Sequence, residues 1–292
     1  MDSIYNNSLN IRHEIIIVDN QSTDNTRQII TDNYKEVRLI TPATNLGFAK
    51  ANNIAAREAQ GDYLLLLNPD TQIIGKTMEK MLAYYHEYAE PLGMLGPKIL
   101  NPDGSIQQTY HRLPSIANRW AHAFFVDRLI PNEILSDYAG FDDGLCQKVD
   151  WLSGACLLIK KDIFKRAGGF DERFFLFYED MDICARLLKL GYDNVYLPEA
   201  SIVHAEGHCC QQKSVQRAKY EQTSRNIFLK KYYSGFALFI MKCLDVIYGI
   251  NRICAILLTQ LFRTENKITQ IGYYKAMIAT VFKSEVPRED GV

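Results

Sequence analysis

The sequence has no uninterrupted apolar run of the roughly 18 residues that a membrane-spanning helix needs. It does not open on a secretory leader either, since residues 1–14 carry Asp, Asn, Arg, His and Glu where an apolar segment would be required. Charge of one sign is not in excess: 33 basic residues face 34 acidic ones, and the formal net charge of −1 gives a nucleic-acid partner no support. The 7 cysteines are an odd number without a CxxC pair or a Cys/His zinc spacing, and the adjacent Cys209 and Cys210 are poorly placed to bridge each other. Free thiols in a reducing compartment, and so a cytoplasmic protein, are expected. Neither GxxxxGK[ST] nor a strand–GxGxxG–helix unit occurs, which counts against P-loop and dinucleotide-binding readings. Internal repeats and low-complexity stretches are missing as well.

What remains is 292 residues, 47% hydrophobic and 23% charged, enough for one large α/β domain with an appendage or two small domains. Glu14 to Val18 reads as a buried strand, followed by a polar turn and a helix over 24–34. Val37 to Ile40 reads as the next strand, 47–59 as a helix, and Tyr63 to Leu67 as a second continuous apolar strand ending in Asn68-Pro69-Asp70. Thr77 is expected to cap a helix with Met78, Met81, Leu82 and Tyr85 on one face. This alternation predicts an α/β fold with a mostly parallel sheet covered on both faces. The segment 91–150 is less regular, with turn signals such as Asn101-Pro102-Asp103-Gly104. A strand over 152–160 is interrupted at Ser153-Gly154-Ala155. A helix over 180–190 turns Ile183, Leu187 and Leu190 inward, and short strands near 194–197 and 201–204 lead to His204.

Polar residues gather where strands end: Asp19 and Asp24 after the first, Asp70 after the third, His204 after the last. In open α/β sheets that edge binds ligands. Each feature has a structural reading too: a capping turn at Asp19-Asn20, a surface turn at Asn68-Pro69-Asp70, dipole-favoured acids at Glu179-Asp180, a core histidine at His204. Together they suggest a site for a divalent cation and a phosphorylated ligand, with Mg²⁺ or Mn²⁺ on Asp70 neutralising the phosphate.

The segments VDNQSTDNT (18–26), NLGFAKANN (45–53), GDYLLLLNPD (61–70), NPDGSIQ (101–107), WLSGACLLIKKDIFKRAGGFDERFFLFYEDMDICARL (151–187) and VYLPEASIVH (195–204) occur in an order that resembles the family-2 glycosyltransferases of GT-A fold. Within that family they are most similar to the rhamnosyltransferase-like members of bacterial polysaccharide synthesis. The resemblance covers about residues 1–235. It implies inverting transfer of a sugar, with dTDP-rhamnose first among donors, from a nucleotide-sugar to a glycan or lipid-linked glycan. It assigns Asp19, Asp24, Asn45, Gly47, Asn68 and Asp70 to the nucleotide-sugar, with Asp70 and His204 as metal ligands. Asp180 matches the catalytic base. Trp151, Gly154, Ala155 and Glu179 match the sugar and acceptor pocket. The family's metal motif usually has Asp where this chain has Asn68. A nucleotidyltransferase and a catalytically inactive, membrane-associated binding protein are the competing readings.

Family members normally begin with a strand and a helix that precede the strand at 14–18. Met1 to Tyr5 resembles the end of that helix, so the first strand and most of the first helix are expected to be missing, which would open the sheet and weaken nucleotide binding. A GT-A domain over 1–210 and a helical, membrane-associating extension over 211–292 are expected. In that extension Lys242, Asp245, Arg252, Thr259 and Gln260 share one helical stripe between Phe236 and Phe262. The expectation is that this stripe stays wet while the apolar remainder lies in the inner face of the cell membrane. The basic residues Lys213, Arg217, Lys219, Arg225, Lys230 and Lys231 would meet anionic lipid.

Overall fold

In a computed structural model the described residues are 1–7, 10–130, 132–138, 140–205, 214–258 and 267–283. The elements, in chain order, are α1 (Asp2–Asn7), β1 (Ile16–Val18), α2 (Thr26–Asn33), β2 (Arg38–Ile40), α3 (Gly47–Glu58), β3 (Tyr63–Leu67), β4 (Thr71–Ile74), α4 (Thr77–Glu87), β5 (Leu92–Leu100) and β6 (Tyr110–His111). Next come α5 (Ile116–Ala123), α6 (Val126–Leu129), β7 (Gln147–Val149), β8 (Trp151–Leu152), β9 (Cys156–Lys160), α7 (Lys161–Arg166), α8 (Glu179–Lys189) and β10 (Asp193–His204). The helices α9 (Val215–Tyr232), α10 (Gly235–Leu258) and α11 (Lys267–Thr280) close the series. Two compact units result: Met1–His111, Asp142–Phe175 and Glu179–Glu206 form the first, and Arg112–Phe141, Leu176–Tyr178 and Gly207–Val292 the second. Segments 112–141 and 176–178 thus belong with the C-terminal helices, and the boundary expected at 210/211 lies outside the described residues.

The first unit is built on a six-stranded sheet of order β3-β9-β5-β10-β4, with β7 also paired to β10. Its pairings are antiparallel except for β10 with β5, so the sheet is mixed where a mostly parallel one was expected. Apolar runs signal burial on two faces, but they carry no information on which neighbour a strand takes or in which direction. The parallel pair β1–β2 forms a separate two-stranded sheet, and among the described residues no strand joins it to β3. Helix α4 packs Met81 and Tyr85 onto Leu92, Leu95, Leu158, Val195 and Leu197. Truncating Met81, which is 1% exposed, to Ala would cost about 2–5 kcal/mol.

Three local expectations need correcting. The strands at 194–197 and 201–204 are one strand, β10, whose register to β5 shifts between Leu197 and Ser201. Pro198 lies in that shift and has no N–H to give the ladder. Thr77 does not cap α4: it is the helix's first residue, and its buried hydroxyl bonds the carbonyls of Ile74 and Ser201 and accepts from the Ser201 N–H. Leu190, expected inside, is 53% exposed, because α8 ends at Lys189 and the chain turns out at Gly191, φ 83°.

In the second unit, Asp245 of α10 is fully buried and accepts from Arg119 Nε at 2.6 Å and from Arg225 Nε at 2.7 Å. Lys242 is also buried, and Asn251 donates to the Ala123 carbonyl. The described part of the stripe, Lys242 and Asp245 above all, therefore faces protein rather than water. Phe236, Phe239, Ile250, Leu257 and Leu258 stand exposed instead. Arg225 is buried in the Asp245 pair and Arg217 is paired with Glu221, so neither is the exposed lipid contact expected of it. Cys209, Cys210, Lys213, Thr259, Gln260 and Phe262 lie outside the described residues. Among the described residues no helix is long and apolar enough to cross a membrane.

Candidate active site

Asp19 directly follows β1, where its N–H donates to the Ile40 carbonyl and prolongs the β1–β2 pair. Its side chain is 4% exposed and each oxygen is engaged once: Oδ1 accepts from the Ser22 N–H at 3.2 Å and Oδ2 from Arg27 Nε, which leaves each a further lone pair. Burial alone would push its carboxyl up, but the bonds from Ser22 and Arg27 hold it below the usual carboxylate value. Asn20 reaches across to the 45–48 turn, donating to the Gly47 carbonyl at 2.9 Å and accepting from the Leu46 N–H at 3.0 Å. Asn45 Oδ1 accepts from the Gly47 N–H, and the Phe48 N–H donates to the Phe175 carbonyl. Only glycine fits at 47: φ is 75°, and a Cβ there would run into the Phe175 carbonyl. Asp24 is exposed and accepts from the Thr26 N–H at 3.0 Å, a local turn just ahead of α2, whose N-cap is Asn25.

The turn from β3 to β4 carries Asn68 and Asp70. The Asn68 N–H donates to the Ala155 carbonyl at 3.0 Å, and its own carbonyl accepts from the Thr71 N–H and hydroxyl. Antiparallel pairing of β10 with β4 sets His204 opposite Thr71 and so brings the imidazole to Asp70. Asp70 Oδ1 and His204 Nε2 lie 3.2 Å apart, with side chains 12% and 11% exposed. Yet Asp70 Oδ1 is buried without a hydrogen bond. A desolvated carboxylate oxygen normally finds a donor. An oxygen and an imidazole nitrogen side by side, neither bonded to the other, are what a small divalent cation would occupy, so the residues fit the expected metal. Among the described residues no third His, Cys, Asp or Glu joins them.

Asp180 opens α8 in its first turn. Oδ2 accepts from the Gly154 N–H at 2.9 Å and Oδ1 from the Met181 N–H at 2.8 Å. Its proton affinity is raised, first by burial, while these backbone bonds pull the other way. Asp182, two residues on, is fully buried and paired with Arg186 one turn further along α8. Glu179 is 5% exposed. Trp151 stacks on His111, ring centroids 4.8 Å apart, on the β6–β8 ribbon. The Gly154-Ala155 turn joins the parts: Ala155 accepts from Asn68, Gly154 donates to Asp180, and the Phe48 ring lies against Gly154. Asn45, Gly47, Asn68, Gly154, Ala155 and Asp180 are thereby linked; Asp19 adjoins them through its neighbour Asn20, the Asp70–His204 pair through the turn that starts at Asn68, and Asp24 stands apart. Sequence reasoning missed Arg27 and the reach of Asn20 to the 45–48 turn. Arg27 sits in the first turn of a helix, where an acid is the favoured charge, and that anomaly was its signal.

The family described as Glycosyl transferase family 2 matches residues 1–166. An N-acetylglucosaminyl-diphospho-decaprenol L-rhamnosyltransferase of Mycobacterium tuberculosis is 31% identical over 247 residues, 76% of either chain. Rhamnosyltransferase WbbL of Escherichia coli is 29% identical over 209 residues, 67% of this chain and 74% of that one. Among solved structures, a mannosyltransferase of Pyrobaculum calidifontis with GDP-Man and Mn²⁺ superposes with a TM-score of 0.55 at 14% identity, covering 97% of this chain and 82% of that one. GalNAc-T7 with UDP, GalNAc and Mn²⁺ gives a TM-score of 0.57 at 14% identity, 97% of this chain spanning 54% of that one.

Proposed function

The chain belongs to glycosyl transferase family 2, and from that premise we propose that it moves L-rhamnose from dTDP-rhamnose to a hydroxyl of a lipid-linked glycan, with inversion at the anomeric carbon. Glycosyl transfer in polysaccharide biosynthesis is the broader activity its relatives carry. The nucleotidyltransferase and inactive-binder alternatives find no support among them.

The observation that carries the proposal is the convergence on the Gly154-Ala155 turn of a half-buried carboxylate of raised proton affinity, Asp180, and of the β3–β4 turn that carries Asp70 beside His204. Asp180 takes the proton of the acceptor hydroxyl as the hydroxyl attacks. Its raised proton affinity suits that task, because a base that binds its proton more firmly removes it more effectively once ionised. The Gly154 and Met181 N–H groups fix both oxygens and hold the carboxylate in place. Asp70 and His204 would hold the divalent metal, Mg²⁺ or Mn²⁺, whose chemistry is to stabilise charge on the departing diphosphate. Asp19 and the turn at Asn45 and Gly47 bind the nucleoside side of the donor. Trp151, on its ribbon, and Glu179, beside the base, face the sugar and acceptor.

A second reading concerns location. The exposed Phe236, Phe239, Ile250, Leu257 and Leu258 of α10 support peripheral attachment to the inner face of the cell membrane. Flotation with anionic lipid vesicles tests it: protein left at the bottom of the gradient would refute the attachment. Transfer is tested by incubating the chain with labelled dTDP-rhamnose, Mn²⁺ and a polyprenyl-diphospho-N-acetylglucosamine acceptor. Label moving to the lipid fraction is expected. Label moving only from UDP- or GDP-sugars would correct the donor, and no transfer from any of them would overturn the proposal.

A further inference from the structure

The 101–107 segment, a turn far from the base in sequence, has no part in the chemistry described so far. Its side chains form a one-way chain of hydrogen bonds. The Asp103 carboxylate, an acceptor only, takes bonds from the Ser105 hydroxyl at 2.6 Å and N–H at 2.9 Å. Those bonds hold its carboxyl below the ordinary value and keep it ionised. With its proton committed to Asp103, the Ser105 hydroxyl accepts from Asn101 Nδ2 at 2.8 Å. Asn101 Oδ1 therefore faces Gln107 Nε2, at 2.7 Å. A second, independent bond fixes the same orientation: Gln107 Nε2 also donates to the backbone carbonyl of His204, at 2.9 Å, and a backbone carbonyl cannot be flipped.

With the amide nitrogen committed twice, Gln107 Oε1 is left facing His204 Nδ1 at 3.1 Å. An oxygen acceptor demands a donor, so Nδ1 carries the imidazole proton. In the neutral ring Nε2 then bears a lone pair. That lone pair is on the nitrogen 3.2 Å from the orphaned Asp70 Oδ1.

We propose that Gln107 is a positioning residue that sets the tautomer of His204, delivering Nε2 as a ready-made metal ligand beside Asp70. Gln107 is 8% exposed, and its own N–H is tied to the Ile99 carbonyl of β5, so the amide is held on the sheet. The inference rests on the metal reading of Asp70 and His204 but makes a separate claim. Removing the amide acceptor frees the ring to take the other tautomer or to rotate, and outer partners of this kind are worth roughly 10–100-fold in metal affinity.

The test uses the full chain labelled with ¹⁵N-histidine. Long-range ¹H–¹⁵N correlation spectra of the metal-free protein at mildly alkaline pH are expected to show the Nδ1–H form of His204. An Nε2–H form would overturn the proposal without recourse to any variant. In parallel, Mn²⁺ affinity is read by electron paramagnetic resonance for the wild type and for Gln107→Met, a neutral replacement of similar size. Affinity roughly 10–100-fold lower, with loss of the Nδ1–H preference, is expected. Unchanged affinity in a folded Gln107→Met protein overturns the proposal. Failure of the wild type itself to bind Mn²⁺ would refute the metal reading, and the tautomer spectrum would still decide what Gln107 does.

Discussion

Replacing Asp245 with Leu should be the most damaging single change to the C-terminal helical unit. The carboxylate is fully buried and its two oxygens are divided between two guanidinium groups, Arg119 at 2.6 Å and Arg225 at 2.7 Å. Gln222 adds a weaker bond at 3.4 Å. Burial and the neighbouring Arg225 already lower the proton affinity of Arg119. Without Asp245, two cations with side chains 12% and 10% exposed would face each other unneutralised. Breaking a buried pair costs about 3–5 kcal/mol, and two orphaned charges put this case at the upper end. Arg225 also donates to the phenolic oxygen of Tyr178, the residue that leads into α8. Tyr178 and Phe177 both sit at positive φ, 70° and 69°, a conformation bulky residues hold only under constraint. Urea and thermal denaturation of Asp245→Leu, followed by circular dichroism, measure the loss. The triple replacement Arg119→Met, Arg225→Met, Asp245→Leu removes the charges together and should recover most of it. The sign with pH is fixed as well. Despite burial, which pushes it up, Asp245 is held low by Arg225 and Arg119. Its contribution is therefore present above its unfolded pKa and is lost as pH falls through the lower folded value. A single Asp245→Leu variant within about 1 kcal/mol of wild type would refute the reasoning, since even a modest buried pair exceeds that when broken.

Asp70→Asn should abolish metal-stimulated turnover while the fold survives, because the orphaned oxygen makes no hydrogen bond to lose; a transfer assay across a Mn²⁺ series checks it, with the melting curve as control. Gly47→Ala should weaken donor binding, since a left-handed alanine costs about 1–2 kcal/mol and its Cβ would displace the Phe175 carbonyl; calorimetric titration with the donor nucleotide reads the effect. The acid limb of kcat/KM should fall at a pH above the 3.8 of an ordinary aspartate, because Asp180 must be ionised to act and its pKa is raised by burial; a pH–rate profile of sugar transfer tests this.

Strands such as β3 were legible to the residue because a continuous apolar run between turn signals has few other readings. The placement of the candidate acids Asp19, Asp70 and Asp180 was legible because each stands where a strand or turn hands over to a helix or the next strand. Strand direction was not, since a buried run looks the same whichever way its neighbour points. The shift at Pro198 to Ala200 disguised one strand as two. The charged stripe of α10 was seen, but its facing was misread: the partners of Asp245 lie 20 and 126 residues away, beyond the reach of any periodicity. Arg27 and the reach of Asn20 were overlooked because a polar side chain near a turn resembles ordinary surface until its partners are known.

The central claim is that Asp180 is the base for sugar transfer in the site built on Asp70, His204 and the Gly154-Ala155 turn. Its most direct test is single-turnover transfer by Asp180→Asn, with donor affinity measured on the same preparation. Turnover should drop at least about 100-fold, the low end for losing an acid–base group, with donor affinity within a few-fold of wild type. Near-normal turnover in the folded variant would contradict the account.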